Sequence, residues 1–122
     1  MGKTLSDSVF DAALDFIATC TRLDVTSDVG TPSDLTNTLA NVTLTAGDGN
    51  GDYVIANGDV SGRKITVQQQ ADISVTDTGT ALHVVLSLAA VIHLTTTCTS
   101  QALTSGNTVT VPAFDYEITD PT

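Results

Sequence analysis

Beyond residue 20 the apolar residues of this chain recur with a period of two, which constrains the fold more than any motif. Leu23/Val25, Val42/Leu44, Tyr53/Ile55, Ile65/Val67, Ile73/Val75, Val109/Val111 and Phe114/Tyr116/Ile118 alternate with polar residues, most often threonine. Successive side chains of a strand point to opposite faces, so each such segment buries one side and wets the other. The chain holds 22 Thr and 13 Val among 122 residues. Both are β-branched and suit a pleated, half-buried surface better than a helix. Turn chemistry separates the runs, at Gly30-Thr31-Pro32, Gly47-Asp48-Gly49-Asn50-Gly51, Asn57-Gly58-Asp59, Asp77-Thr78-Gly79 and Ser105-Gly106-Asn107. Short strands with frequent turns indicate a mainly β fold, a single antiparallel β-sandwich of about eight strands.

The first 20 residues follow a different period. At 100° per residue Leu5, Val9, Ala12, Ala13, Phe16, Ile17 and Cys20 share one broad arc, and Asp7, Asp11 and Asp15 line the opposite face. This predicts an amphipathic helix, capped by Thr4 or Ser6, with Thr4-x-x-Asp7 resembling a capping box. The expected organisation is one domain over 1–122, with the helix in 1–21 and the β-sandwich in 22–122. The apolar arc approaches half the helix circumference, wider than the ~100° stripe that one sheet covers. The excess is expected to face a partner subunit or a second copy. The segment Ala81–Leu94 reads as a hairpin because of its Val/Ile content, although Leu88-Ala89-Ala90 is a poor turn by composition.

Charge excludes several classes of function. The net charge is -10, and the basic residues are Lys3, Arg22, Arg63 and Lys64 alone. Binding of nucleic acid or of an anionic membrane needs clustered cations, and none are present. The N-terminus shows no apolar signal region, and the run Ala81–Leu94 is too short to span a bilayer. Without export, Cys20 and Cys98 are expected as reduced, buried thiols.

Four local patterns invite a chemical reading. Asp48, Asn50 and Asp52 stand at alternate positions with Asp59 at the twelfth, as in a calcium loop, but Tyr53 occupies the place where an EF-hand needs glycine. A Gly/Asp/Asn-rich turn explains the same letters and is favoured. His83, His93 and Cys98 suggest zinc, with the two histidines approaching across the hairpin, but no close-spaced ligand pair accompanies them. Strand histidines satisfied by hydroxyls or backbone are the expected reading. Gly2-Lys3-Thr4 matches only the tail of a phosphate-binding loop and is discounted. Arg63-Lys64 is the one basic pair, suited to a solvated turn exit or to an acidic surface such as Asp7/Asp11/Asp15 of a neighbouring copy. No catalytic constellation and no cofactor site are expected.

Three stretches, Leu5–Ile17 (LSDSVFDAALDFI), Ile55–Val67 (IANGDVSGRKITV) and Ser100–Asp115 (SQALTSGNTVTVPAFD), resemble small structural proteins encoded among the head and tail genes of tailed bacteriophages. The resemblance implies a non-enzymatic virion component, assembled in the host cytoplasm, whose partners are the major capsid protein or other virion subunits. A capsid decoration (cement) protein on the outer lattice is the leading expectation. A tail or head-fibre component is the first alternative, and a calcium-dependent adhesin-like module built on Asp48, Asn50, Asp52 and Asp59 is the second. The contact residues expected are Leu5, Val9, Phe10 and Phe16, with Arg63 and Lys64 as rim charges. A closed homo-oligomer, such as a trimer, fits a repeating lattice.

Overall fold

The change of period near residue 20 marks the passage from helix to strand. In the computed structural model, which describes residues 4–121, helix α1 spans Asp7–Ile17. Gly2 and Lys3 of the discounted phosphate-loop match lie outside the described residues. The helix stops earlier than the expected residue 21. Ala18 caps it, and the Thr19 hydroxyl turns back to donate to the Phe16 carbonyl at 2.6 Å, a local bond that competes with a further helical turn. At the other end Ser6 is the N-cap with extended backbone, yet its hydroxyl makes no capping bond. Its carbonyl instead accepts from the Val9 amide at 3.0 Å.

Among the described residues nine strands follow: β1 (Arg22–Thr26), β2 (Thr38–Thr43), β3 (Tyr53–Asn57), β4 (Arg63–Val67), β5 (Gln70–Ser74), β6 (Gly79–Leu88), β7 (Val91–Leu103), β8 (Thr108–Val111) and β9 (Phe114–Ile118). All strand pairings are antiparallel, and the class is the expected one, mainly β with one N-terminal helix. The chain groups into two compact units. The first unit collects residues through Thr19, Thr45–Gln69 and residues from Pro112 on, and the second holds Cys20–Leu44 and Gln70–Val111. The helix therefore belongs with three strands rather than standing before a separate β-body.

In the first unit β4 lies between β3 and β9, and α1 packs on β4 and β3. Its core is made by Phe10, Leu14 and Ala18 of the helical segment with Tyr53, Ile65 and Val67 of the sheet, all buried. Burial of each large side chain stabilises by ~1.5–3 kcal/mol, enough to hold a short helix that would be marginal alone. The β3–β4 loop is a tight five-residue tip. Gly58 N–H donates to the Gly62 carbonyl at 2.9 Å, and the Glu117 carboxylate on β9 accepts from the amides of Asp59 and Val60. Gly62 sits at φ 68°, and a Cβ there would collide with the Ile118 carbonyl.

The second unit is sandwich-like. A four-stranded sheet ordered β2-β1-β6-β7 accompanies a two-stranded sheet β5-β8, and β5 runs on to meet β2 through an Ala40–Val75 bridge. Directly opposed residues share a face. The register therefore places Leu23, Val42 and Leu86 with Val25, Ala40 and Val84 on one apolar face. The other face carries Arg22, Asp24 and Thr26 against Ser87, Val85 and His83. Strand β1 is buried on both faces from Leu23 to Thr26. Asp24 is fully buried and takes both Arg22 Nε and Nη2 at 2.7 Å, with the Thr38 hydroxyl also at 2.7 Å. This forked pairing compensates a charge that would otherwise be costly to bury.

Ala81–Leu94 is a hairpin, with β6 and β7 joined by Ala89 and Ala90 at φ 50° and 67°. Two left-handed residues in a two-residue loop form a type I′ turn, whose twist matches the flanking strands. The strands supply the driving force, and the alanines accept the backbone conformation the hairpin requires.

Candidate interaction surface

The helix presents to solvent a large part of the apolar arc, which was expected to exceed what its own sheet covers. Val9, Ala12, Ala13 and Phe16, at i, i+3, i+4 and i+7, are all exposed, with Val9 at 52% and Phe16 at 60%. Leu5, just before the helix, extends the stripe at 47% exposure. The residues turned inward are Phe10, Leu14 and half-buried Ile17, which follow the stripe round the helix by about a third of a turn. Phe10 is 4% exposed and belongs to the core, so its expected role as a contact residue is corrected.

The rotation has an identifiable cause. Arg63 on β4 reaches Asp11 with Nε at 2.8 Å and Nη2 at 3.3 Å, and its Nη1 donates to Asn57 Oδ1 at 2.8 Å. This fork draws Asp11 from the expected wet face toward the sheet. Phe10 and Leu14 are also larger than Ala12 and Ala13, so burying them removes more apolar area from water. Neither a solvated turn exit nor an acid of another copy is needed for Arg63, whose acidic partner Asp11 lies in its own chain.

Lys64 is engaged in the same unit. Its Nζ lies 2.8 Å from Asp59 Oδ1 and 3.4 Å from Asp115 Oδ2, and the hydrogen bond it donates to Asp59 foremost raises its pKa. Asp115 is held below the usual carboxylate range, first by the Thr66 hydroxyl at 2.6 Å and then by Lys64. Arg63 and Lys64 are thus internal clamps rather than rim charges. Of the helix acids, exposed Asp15 stands at one margin of the stripe, whereas Asp7 lies on the far side of the helix, toward Arg63.

The candidate calcium ligands are not brought together. Asp48 Oδ1 accepts from the Ile55 amide at 2.8 Å, Asp52 Oδ2 from the Thr45 amide at 2.6 Å, and the Asn50 amide group donates to the Ala46 carbonyl at 2.9 Å. These bonds shape a compact loop whose three glycines, Gly47, Gly49 and Gly51, have positive φ. Asp59 lies beyond the far end of β3 from this loop, roughly 14 Å or more away at the rise of a strand. The turn reading accounts for the segment. Among the described residues no group of three or more His, Cys, Asp or Glu is placed to hold a metal.

The histidines also separate. In the β6–β7 register His83 opposes Thr97, while His93 falls in a bulge beside Leu86 and Ser87. The expected approach across the hairpin is therefore corrected, since about four residues of strand intervene. His83 is buried with Nδ1 2.9 Å from the Asp28 carbonyl, a backbone partner of the expected kind. Cys20 is buried, and burial pushes its thiol up to about 11, whereas Cys98 is only half-buried, contrary to expectation. Among the described residues no helix is long and apolar enough to cross a membrane.

Sequence reasoning missed three functional placements: Asp11 as the anchor of Arg63, Glu117 as the clamp on the β3–β4 tip, and Asp24 as a buried carboxylate. Only the last had a local signal, because Arg22-x-Asp24 on a strand puts both side chains on one face. Compared with protein-family models, curated proteins and solved structures, the chain matches none of them.

Proposed function

We propose that this chain is a non-enzymatic structural subunit of a tailed-phage virion. Within that class the reading best supported is a capsid decoration protein, docked on the outer lattice through the stripe Leu5, Val9, Ala12, Ala13 and Phe16. The observation that carries it is the exposure of these apolar residues on a helix whose other side is already anchored by Phe10, Leu14 and the Asp11–Arg63 fork. A helix laying i, i+3, i+4, i+7 anchors into a groove is a common mode of protein recognition. Completing the burial of Leu5, Val9 and Phe16 supplies roughly 2–4 kcal/mol per copy, a useful increment where many copies act on one shell. With Asp15 at one margin, the stripe fits an apolar groove with a cation along one border.

The test is co-sedimentation of the purified chain with undecorated capsids and, separately, with tail tubes. Saturable binding to capsids that weakens at least about 10-fold in Phe16→Asp and Val9→Asp supports the decoration role. Binding to tubes alone transfers the role to the tail. Binding to neither, or capsid binding indifferent to both substitutions, contradicts the proposal.

A further inference from the structure

Strand β7 ends one side of the sheet ordered β2-β1-β6-β7 and, among the described residues, is paired along one flank only, with β6. The opposite edge of this sheet, β2, is met by the segment after β5. The Thr76 and Asp77 amides donate to the Leu39 carbonyl at 2.8 and 3.3 Å, beside the Ala40–Val75 bridge. One edge is thus covered, while β7 presents an outward row of backbone N–H and C=O groups. Such an edge is a template for another strand, and proteins ordinarily blunt it with short length, charge, proline or bulges. β7 is 13 residues long and contains no Asp, Glu, Lys, Arg or Pro. Bulges at His93 and across Cys98–Ser100 leave Leu94–Thr97 as its regular central run.

The charge pattern indicates the occupant. Each chain carries a net charge of -10, yet no Asp, Glu, Lys or Arg occurs between Asp77 and Asp115. β7 lies within this interval, so two copies meeting there bring no acids of β6, β7 or β8 against one another. A cationic partner gains nothing from a neutral ladder and would be drawn to the acids elsewhere. Antiparallel pairing of identical strands is isologous, and Thr95, Thr96 and Thr97 form favourable cross-strand pairs with their own kind.

We propose that β7 pairs antiparallel with β7 of a second copy about a two-fold axis through Leu94–Thr97. The resulting sheet runs continuously through both protomers. The symmetry closes at two, in place of the trimer expected from the sequence. This inference does not depend on the decoration role.

Thr97 is exposed, so a charge there leaves the core untouched while opposing strand addition. Light scattering is expected to give the native chain twice the 12.6 kDa of one copy. Thr97→Lys and Thr97→Glu are each expected to give a single copy with unchanged circular dichroism, and Phe16→Asp is expected to leave the dimer intact. A single-copy native chain, a dimer that survives both Thr97 variants, or a dimer dissolved by Phe16→Asp overturns the proposal. So does a dimer strengthened by lysine and weakened by glutamate, which marks a charge-driven contact. Should the Thr97 variants fail to fold, hydrogen exchange of the native chain decides. Amides within Leu94–Thr97 that exchange faster on dilution support the pairing, and exchange independent of concentration contradicts it.

Discussion

The β6–β7 turn offers a stability prediction whose size follows from backbone geometry. Ala89 and Ala90 sit at φ 50° and 67°. An L-residue with a Cβ in the left-handed region is disfavoured by roughly 1–2 kcal/mol, so the pair stores about 2–4 kcal/mol. Asn-Gly is the preferred type I′ pair. Glycine at 90 removes its share of the strain but adds about 0.5–1 kcal/mol of chain entropy in the unfolded state. Asparagine at 89 relieves part of the rest. The double variant Ala89→Asn/Ala90→Gly is therefore expected to gain about 1–2 kcal/mol, or ~3–8 °C in melting temperature. Urea unfolding followed by circular dichroism measures it as a raised midpoint with an unchanged slope. Ala90→Val is the opposing probe, expected to lose at least about 1 kcal/mol because a branched side chain tolerates this conformation worse than alanine. An unchanged or lowered midpoint in the double variant, or a valine variant equal to the native chain, would refute the strain argument.

Three further outcomes are expected. Gly62→Ala places a Cβ against the Ile118 carbonyl and should cost about 2–4 kcal/mol, whereas Gly49→Ala, with positive φ but open space, should cost only about 1 kcal/mol; equal losses in denaturant unfolding would dismiss the packing argument. The Cys20 thiol, raised by burial from 9.0 to about 11, stabilises the fold fully below pH 9 and loses that contribution as pH climbs toward 11, by up to about 3 kcal/mol. Cys20→Ala should flatten the stability profile over that interval, and an unaltered profile would mean that another group titrates there. Millimolar calcium followed by a chelator should leave the melting temperature unmoved, because Asp48 and Asp52 already accept backbone amides and Asp59 is held by Lys64; a rise that the chelator reverses would restore the calcium loop.

The elements of this fold were legible where periodicity is local, and the partnerships were not. Alternation marked strands such as Ile65–Val67 and Val109–Val111 because a strand reports its two faces in adjacent letters. The hairpin at Ala81–Leu94 was legible from its branched residues even though Ala89-Ala90 lacked turn chemistry. The helix was legible too, but not the face it buries. Phe10 and Leu14 fall between the predicted apolar arc and the Asp face, and the decision between them rests on Arg63, more than 50 residues away in sequence. Side-chain clamps of this range, Asp11–Arg63 and Glu117 on the β3–β4 tip, leave no trace in a window of a few residues. Candidate metal ligands part in space for the same reason. Spacing along the chain set Asp59 beside Asp52 and His83 beside His93, and strand geometry moved each pair apart.

The measurement nearest to the centre of this account is hydroxyl-radical footprinting of Val9 and Phe16, made on the isolated chain and again on assembled particles. The account predicts rapid oxidation of both side chains in isolation, strong protection of both in the particle, and little change at Val29, which is exposed elsewhere. Protection already complete in the isolated chain, or oxidation undiminished on assembly, would contradict it.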